Sequence, residues 1–432
     1  MQKEEIHNKR KMFTEIILHL HPKTINSDAL AFNRTFGLGG MAALLIVLLF
    51  ITGILLRFYY EPFPQKAYDS IQHLQNNVLF GQLVRNVHHW CGVFLVIITF
   101  LHLLRTFFTG AFQASRKTNW LVGLALFVLV IGSNFTGYLL PWDQLAYWAV
   151  TVGTSLLNYI PFIGSSLRSL LIGGDEVGSG TLIIFFNFHT AVFPFVILLL
   201  MAYHFWSVRK SGGIILPKKD TEKKIVSVYP NLVYKEFIVA LALFATLLVV
   251  SVFLDAPLLA KANSDISINP TKAPWYFAGI QELLMHFHPF IAAFLIPLLI
   301  IASLSVLPYI KLDEEHSGNW FHSEKAKEAV KFSAKFAIVI TPILVIISEY
   351  IPDFEILFPL LNSFISNGII PVIILFGMFR YYHKYVTKKY QLNLIEIIQT
   401  MFAFIATVFI ILTLIGIFLR GTDMALTFPW NV

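Results

Sequence analysis

The chain has 432 residues, 56% of them hydrophobic and only 13% charged, about half the charged share of an ordinary soluble domain, which excludes a soluble enzyme. Its net charge of +7 is dispersed along the chain rather than gathered in one block, so it does not call for a nucleic-acid partner. A lone cysteine, Cys91, excludes an intramolecular disulfide, a cysteine-ligated iron–sulfur cluster of the chain's own, and a C-x-x-C-H haem attachment.

Apolar runs of about 20 residues, long enough to cross a bilayer, lie at 38–58, 87–106, 119–140, 184–206, 235–254, 288–308, 333–351, 366–382 and 396–419. The predicted fold is therefore all-α, a polytopic membrane protein with a four-helix bundle followed by about five further spans. The first run follows almost forty polar or mixed residues, unlike the hydrophobic region of a cleaved signal peptide, and is expected to remain as a span. Lysine and arginine cluster in "NKRK" (8–11), around Arg116 and Lys117, in "VRK" and "PKKDTEKK" (208–224), in 323–331 and in 384–389. The intervening connections, such as "EPFPQKAYDSIQHLQNN" and "LIGGDEVGSG", are poorer in both. By the positive-inside rule the N-terminus is cytoplasmic, and nine spans place "RGTDMALTFPWNV" outside.

The second run, "RNVHHWCGVFLVIITFLHLLR" (85–105), carries His88 and His102, fourteen residues apart. That interval is close to four helical turns, so both lie on one face, about 21 Å apart along the axis. In the fourth, "FNFHTAVFPFVILLLMAYHFW" (186–206), His189 and His204 are fifteen apart. If the two helices run in the same direction, His88 is level with His189 and His102 with His204. One intramembrane histidine is most simply a hydrogen-bonded polar residue; four in register match the axial ligands of two b-type haems. Adjacent His89 points about 100° away and is not a second ligand. Gly39 and Gly53 in the first span, and Gly123 and Gly137 in the third, repeat the fourteen-residue interval, as a porphyrin edge approaching a backbone requires. Arg85, one turn before His88, is placed to neutralise a haem propionate, or simply to snorkel.

These residues resemble cytochrome b of the quinol–cytochrome c and quinol–plastocyanin reductases over roughly residues 30–350. The resemblance is carried by "RNVHHW", the two histidine pairs, the four glycines, "GYLLPWDQLAYWAV" (137–150), "TSLLNYIPFIGSSL" (154–167) and "APWYF" (273–277). The fifteen-residue interval and the "PWDQ" wording are similar to the chloroplast-type branch, split in that branch into a cytochrome and a second subunit. The resemblance implies a di-haem domain over 1–215, a second domain over 216–355, and two additional helices over 356–432, with a docking surface for another subunit as the simplest reading of the last part. It further implies quinol oxidation at an outer pocket containing Tyr138, Asp143, Trp275 and Tyr276. One electron goes to a Rieske iron–sulfur partner and on to a c-type cytochrome; the other crosses the haems to a quinone at an inner pocket, coupled to proton translocation. There Lys235 and Glu236, with Arg209 nearby, are the expected proton donors. The implied setting is a homodimer within a larger complex in a bacterial inner membrane, with lipid around it.

The sequence departs from the family pattern at three site positions. Gly37 stands where the chloroplast-type branch has the cysteine that attaches an additional haem, Ile184 replaces an arginine, and Pro274 replaces the glutamate of the PEWY-type loop. Proline cannot accept a proton, so Glu282 or Asp143 is the expected substitute base, with bound water as the alternative. Loss of that glutamate accompanies low-potential quinones in the family, which points to menaquinol. A ferric-reductase or NADPH-oxidase conduit also pairs histidines on two helices, but no G-x-G-x-x-G fingerprint follows a strand pattern here. A proton-coupled transporter is the non-redox alternative.

Overall fold

The computed structural model describes residues 22–217, 224–312, 317–351, 354–428 and 430. The basic stretch at 8–11, most of 218–224, and His19, His21 and His316 lie outside the described residues. Among the described residues nine helices are long and apolar enough to cross a membrane: Leu38–Arg57, Gly81–Phe108, Lys117–Leu139, Ser179–Lys210, Val228–Phe253, Ile291–Tyr309, Glu324–Tyr350, Ile365–Tyr390 and Leu394–Phe418. They are called the first to ninth spans below. Several extend beyond the apolar runs because polar residues such as Arg85 and Asn86 continue the helix past the hydrophobic stretch and find partners there.

Three spans contain a π turn, at Phe188–Val192, Ile291–Leu295 and Ile365–Ile369, and each turn ends two residues before a proline, Pro194, Pro297 or Pro371. Proline has no N–H to donate and its ring collides with the carbonyl four residues back. A wider turn relieves that collision within the helix. The first of these turns holds His189.

The first four spans and the fifth enclose an apolar core of Leu45, Cys91, Leu95, Ile98, Val130 and Leu247. The cysteine is buried there as a small apolar side chain. Two short strands, Thr24–Asn26 and Ile225–Ser227, pair antiparallel at the end of the bundle that carries His102. At the opposite end, segment 254–266 crosses the bundle. From the second span Arg85 donates to the carbonyls of Ala256 (2.9 Å) and Pro257 (2.6 Å), and Trp90 to that of Leu254 (2.8 Å). Asn86 donates to Asp255 and accepts from the Ala256 N–H. From beyond the third span Asp143 accepts the Leu259 N–H (3.0 Å), while Gln144 donates to the carbonyls of Asn263 and Ile266. The "RNVHHW" and "PWDQ" motifs thus grip one segment from two sides.

The ninth span is joined to the rest of the chain by extensive contacts. It packs along the seventh span and against helix Ala278–Leu284, with Glu396, Gln399, Thr400 and Arg420 buried. At one end Gln399 donates to the Phe108 carbonyl (3.1 Å) and accepts the His322 N–H, and Glu396 accepts from Ser323 and Lys325. These contacts join residues on the two sides of position 355.

Candidate functional site

The four histidines of the second and fourth spans lie in two pairs. The rings of His88 and His189 are 6.0 Å apart between centroids and inclined at 76°; those of His102 and His204 are 6.4 Å apart at 75°. At the first level the outward-facing nitrogens are fixed. His189 Nδ1 lies 2.9 Å from the Ser133 carbonyl, which can only accept, so Nδ1 carries the proton and Nε2 keeps its lone pair. Thr52 Oγ1 donates to the Leu48 carbonyl (2.7 Å) and lies 2.9 Å from His88 Nδ1, which imposes the same tautomer on His88. Such outer hydrogen bonds orient an imidazole and raise its basicity as a metal ligand.

The glycines face these rings. A Cβ at Gly137 would come within 2.5 Å of His189 Cε1, and one at Gly53 within 3.2 Å of His88 Cε1. At the other level the corresponding distances are 3.6 Å for Gly39 to His102 and 3.5 Å for Gly123 to His204. Missing side chains thus clear the space around both ring pairs.

This geometry can be tested against a bound group. Two imidazole–metal bonds of about 2.0–2.1 Å, with about 1.2 Å from each ring centre to its nitrogen, place the centroids of two coordinating rings about 6.4 Å apart, close to both observed spacings. Among the described residues no group of three or more His, Cys, Asp or Glu side chains could hold a metal ion. Two nitrogens alone do not satisfy a transition metal, so the remaining ligands must arrive with it, as the four nitrogens of a porphyrin do. The residues fit haem.

The comparisons with known proteins agree with that chemistry. Residues 25–212 match the family pattern described as cytochrome b/b6/petB. The chain is 39% identical over 202 residues to the menaquinol:cytochrome c reductase cytochrome b subunit of Geobacillus thermodenitrificans, covering 46% of this chain and 90% of that one. The chain belongs to the cytochrome b family. Cytochrome b6 of Heliomicrobium gestii is likewise 39% identical, over 180 residues that make up 42% of this chain and 84% of its own. A chain of a hyperthermophilic respiratory Complex III shares the fold at a TM-score of 0.68 and 21% identity, with 95% of this chain and 99% of that chain covered. That likeness is one of fold and extends over nearly the whole chain, whereas the family match covers residues 25–212.

In this cytochrome b the other predicted site residues fall at the two ends of the bundle. Both Nη atoms of Arg85 are committed to the backbone of 256–257, so this side chain clamps the crossing segment, whatever its charge also does. His89 lies against Trp90, away from its neighbour's ring pair. Gly37 has φ +68°, and a Cβ there would lie 2.9 Å from Val239 Cγ1, so a cysteine would be both strained and crowded. Ile184 joins the apolar cluster around Ile172, Leu182 and Phe185.

At the His88 end, Trp275–Phe277 forms a 3-10 turn, and the Phe277 ring meets Phe135 of the third span edge-on. Tyr276 points its hydroxyl into the interior, where it is buried without a hydrogen-bond partner among the described residues, and burial pushes its pKa up. The two expected substitute bases are otherwise engaged. Asp143 is the N-cap of helix Gln144–Ser155: Oδ1 accepts from Ala146 N–H (2.9 Å) and Oδ2 from Leu259 N–H (3.0 Å). Glu282 is fully buried and its oxygens receive Arg420 Nη2 at 2.6 Å and Nε at 3.0 Å, with His286 Nε2 at 3.3 Å. Burial would raise its pKa, but the hydrogen bonds from His286 and Arg420 outweigh it and hold the carboxyl below its ordinary value of 4.5. Because the folded-state value is the lower one, this carboxylate contributes stability at neutral pH that fades as the pH falls below about 4.5. Both carboxylates are thus held by hydrogen bonds within the fold. At the His102 end, Lys235 donates to the Leu30 carbonyl (2.9 Å), tying down the N-terminal turn; Glu236 and Arg209 are exposed.

Sequence reasoning missed Thr52, Ser133 and Arg420. Thr52 adjoins Gly53 and was in principle readable as a partner of the histidine face. Ser133 acts through its backbone and left no signal.

Proposed function

We propose that this chain is the di-haem subunit of a quinol–cytochrome c type oxidoreductase, with menaquinol as its substrate. The observation that carries the reading is the pair of imidazole pairs at 6.0 and 6.4 Å, each facing glycines. His88 with His189, and His102 with His204, hold one b-type haem each; the haems supply one-electron carriers at two depths of the membrane. The chain's own part is to fix ligand tautomers through Thr52 and Ser133, to keep water from the ring pairs, and to shape a quinol pocket at the His88 end between Tyr138, Phe135 and the Trp275–Phe277 turn. One electron leaves to a Rieske-type partner and a c-type cytochrome. The second crosses to a quinone at the His102 end, near Lys235 and Glu236, and protons are released outside. Menaquinol is favoured by Pro274 and by the named Geobacillus relative. The basic clusters at the His102 end support a cytoplasmic side for that end by the positive-inside rule, in a bacterial inner membrane.

With Asp143 and Glu282 bonded elsewhere, water beside Tyr276 is the proton acceptor of choice at the outer pocket. Asp143→Asn would set an amide N–H against the Leu259 N–H or forfeit the helix cap, at a cost of about 1–3 kcal/mol. Quinol oxidation is expected to slow with haem content and the shape of the pH–rate profile unchanged; displacement of the acid limb would identify Asp143 as a base. The functional reading itself is tested with the purified complex. Menaquinol should reduce the b haems and NADPH should not; haem reduction by NADPH without response to quinol would establish the conduit alternative.

A further inference from the structure

The ninth span presses on the segment that carries Trp275 and Tyr276 at five points. Arg420, just past its end, is fully buried and forms a bidentate pair with Glu282, while its Nη1 reaches Glu349 at the end of the seventh span (3.0 Å) and the Met424 carbonyl (2.7 Å). Lys272 donates to the Ile417 carbonyl (3.0 Å). Asn269 and Asp423 bond reciprocally. Two close approaches complete the contact: a Cβ at Gly279 would lie 2.7 Å from Thr413 Oγ1, and one at Gly416 would lie 2.8 Å from the Ala278 carbonyl. Partners from 269 to 282 thus bracket the 3-10 turn on both sides, and all of them answer to residues 413–423.

We propose that the last span is a strut for the outer quinol pocket and that Arg420 is the positioning residue through which it acts. The inference rests on the reading of 275–277 as a wall of that pocket. A guanidinium engaged on every edge fixes helix Ala278–Leu284 in position and rotation, because bidentate pairing specifies geometry as well as attraction. Neighbouring contacts explain why one pair can do this. His286 bonds both Glu282 and Ser348 (2.8 Å), so the fixed carboxylate passes its position on to the seventh span. The strut never touches quinol, and its removal should be felt as misplacement of Trp275 and Tyr276 rather than as loss of a proton-transfer group.

The test uses the purified complex, a short-chain menaquinol, and Arg420→Gln and Arg420→Lys. Wild-type oxidation of that quinol is required first; its absence would overturn the functional reading and leave the strut without an object. Given it, Arg420→Gln should retain both b-haem absorption bands and the rate of haem reduction from the inner side, while KM for the quinol rises about tenfold and kcat falls less. Arg420→Lys should recover part of the loss. Should Arg420→Gln fail to assemble, Glu282→Gln/Arg420→Gln, which removes both charges together and strands neither, takes its place, with the same rise in KM expected. An unchanged KM in whichever of these variants assembles overturns the proposal, as does a parallel loss of haem and activity in both.

Discussion

Replacing His102 or His204 with a residue that cannot bind metal is expected to remove the haem at that level and to leave the other in place. Replacing His88 or His189 should do the converse. The expectation follows from the separation of the two ring pairs: fourteen residues of helix, about 21 Å, lie between His88 and His102, and each pair has its own glycines and its own partners. Loss of one imidazole would remove one of the two proposed haem ligands at that level, so even a haem that stays should change its spectrum. If the proposed function holds, electron flow across the membrane should stop in all four variants. His89→Ala is the control and should keep both haems, because its ring rests on Trp90. Low-temperature difference spectra resolve the outcomes, and full retention of both bands in any one ligand variant would contradict the pairing.

Gly137→Ala is expected to be nearly as severe, although it adds one methyl group. The added carbon would stand 2.5 Å from His189 Cε1, 2.8 Å from Nδ1 and 3.1 Å from Nε2, about 0.9 Å inside ordinary contact of about 3.4 Å with the first. The ring cannot yield freely, because its Nδ1 is bonded to the Ser133 carbonyl one helical turn below Gly137. Either that bond breaks or the third and fourth spans separate. Loss of an outer hydrogen bond of this kind typically costs about 10–100-fold in metal affinity. At the other level Gly39→Ala meets His102 at 3.6 Å, an ordinary contact, so the ring itself is undisturbed. Haem retention at the His88 level should therefore fall steeply in Gly137→Ala, while ligand geometry at the His102 level survives Gly39→Ala. Equal retention in the two variants, measured as absorbance per chain, would count against the steric account.

The spans and the histidine face could be read from the sequence because both depend on periodic patterns. A run of apolar residues has one solution in a bilayer, and an interval near four turns has one consequence on a helix. The π turns were less accessible: the prolines were visible, but whether a helix kinks, breaks or widens at a proline depends on its neighbours. The partners of Glu282 and Asp143 could not be read, for a definite reason. Each stands in the sequence as an isolated carboxylate near a motif, whereas each is held by a group far along the chain, Arg420 in one case and the Leu259 N–H in the other. A pair separated by more than a hundred residues has no periodicity to betray it. The same blindness hid the contacts of the C-terminal residues, whose polar positions Glu396, Gln399 and Arg420 are scattered through an otherwise apolar helix and its end, and gain meaning only from the partners that the fold brings to them.

Two imidazole pairs call for two haems in each chain. Extraction of the purified chain and assay of its haem as the pyridine complex, against protein measured by amino-acid analysis, should give two b haems per chain in the wild type and one in His102→Leu. One haem in the wild type, or two in the variant, would contradict that pairing.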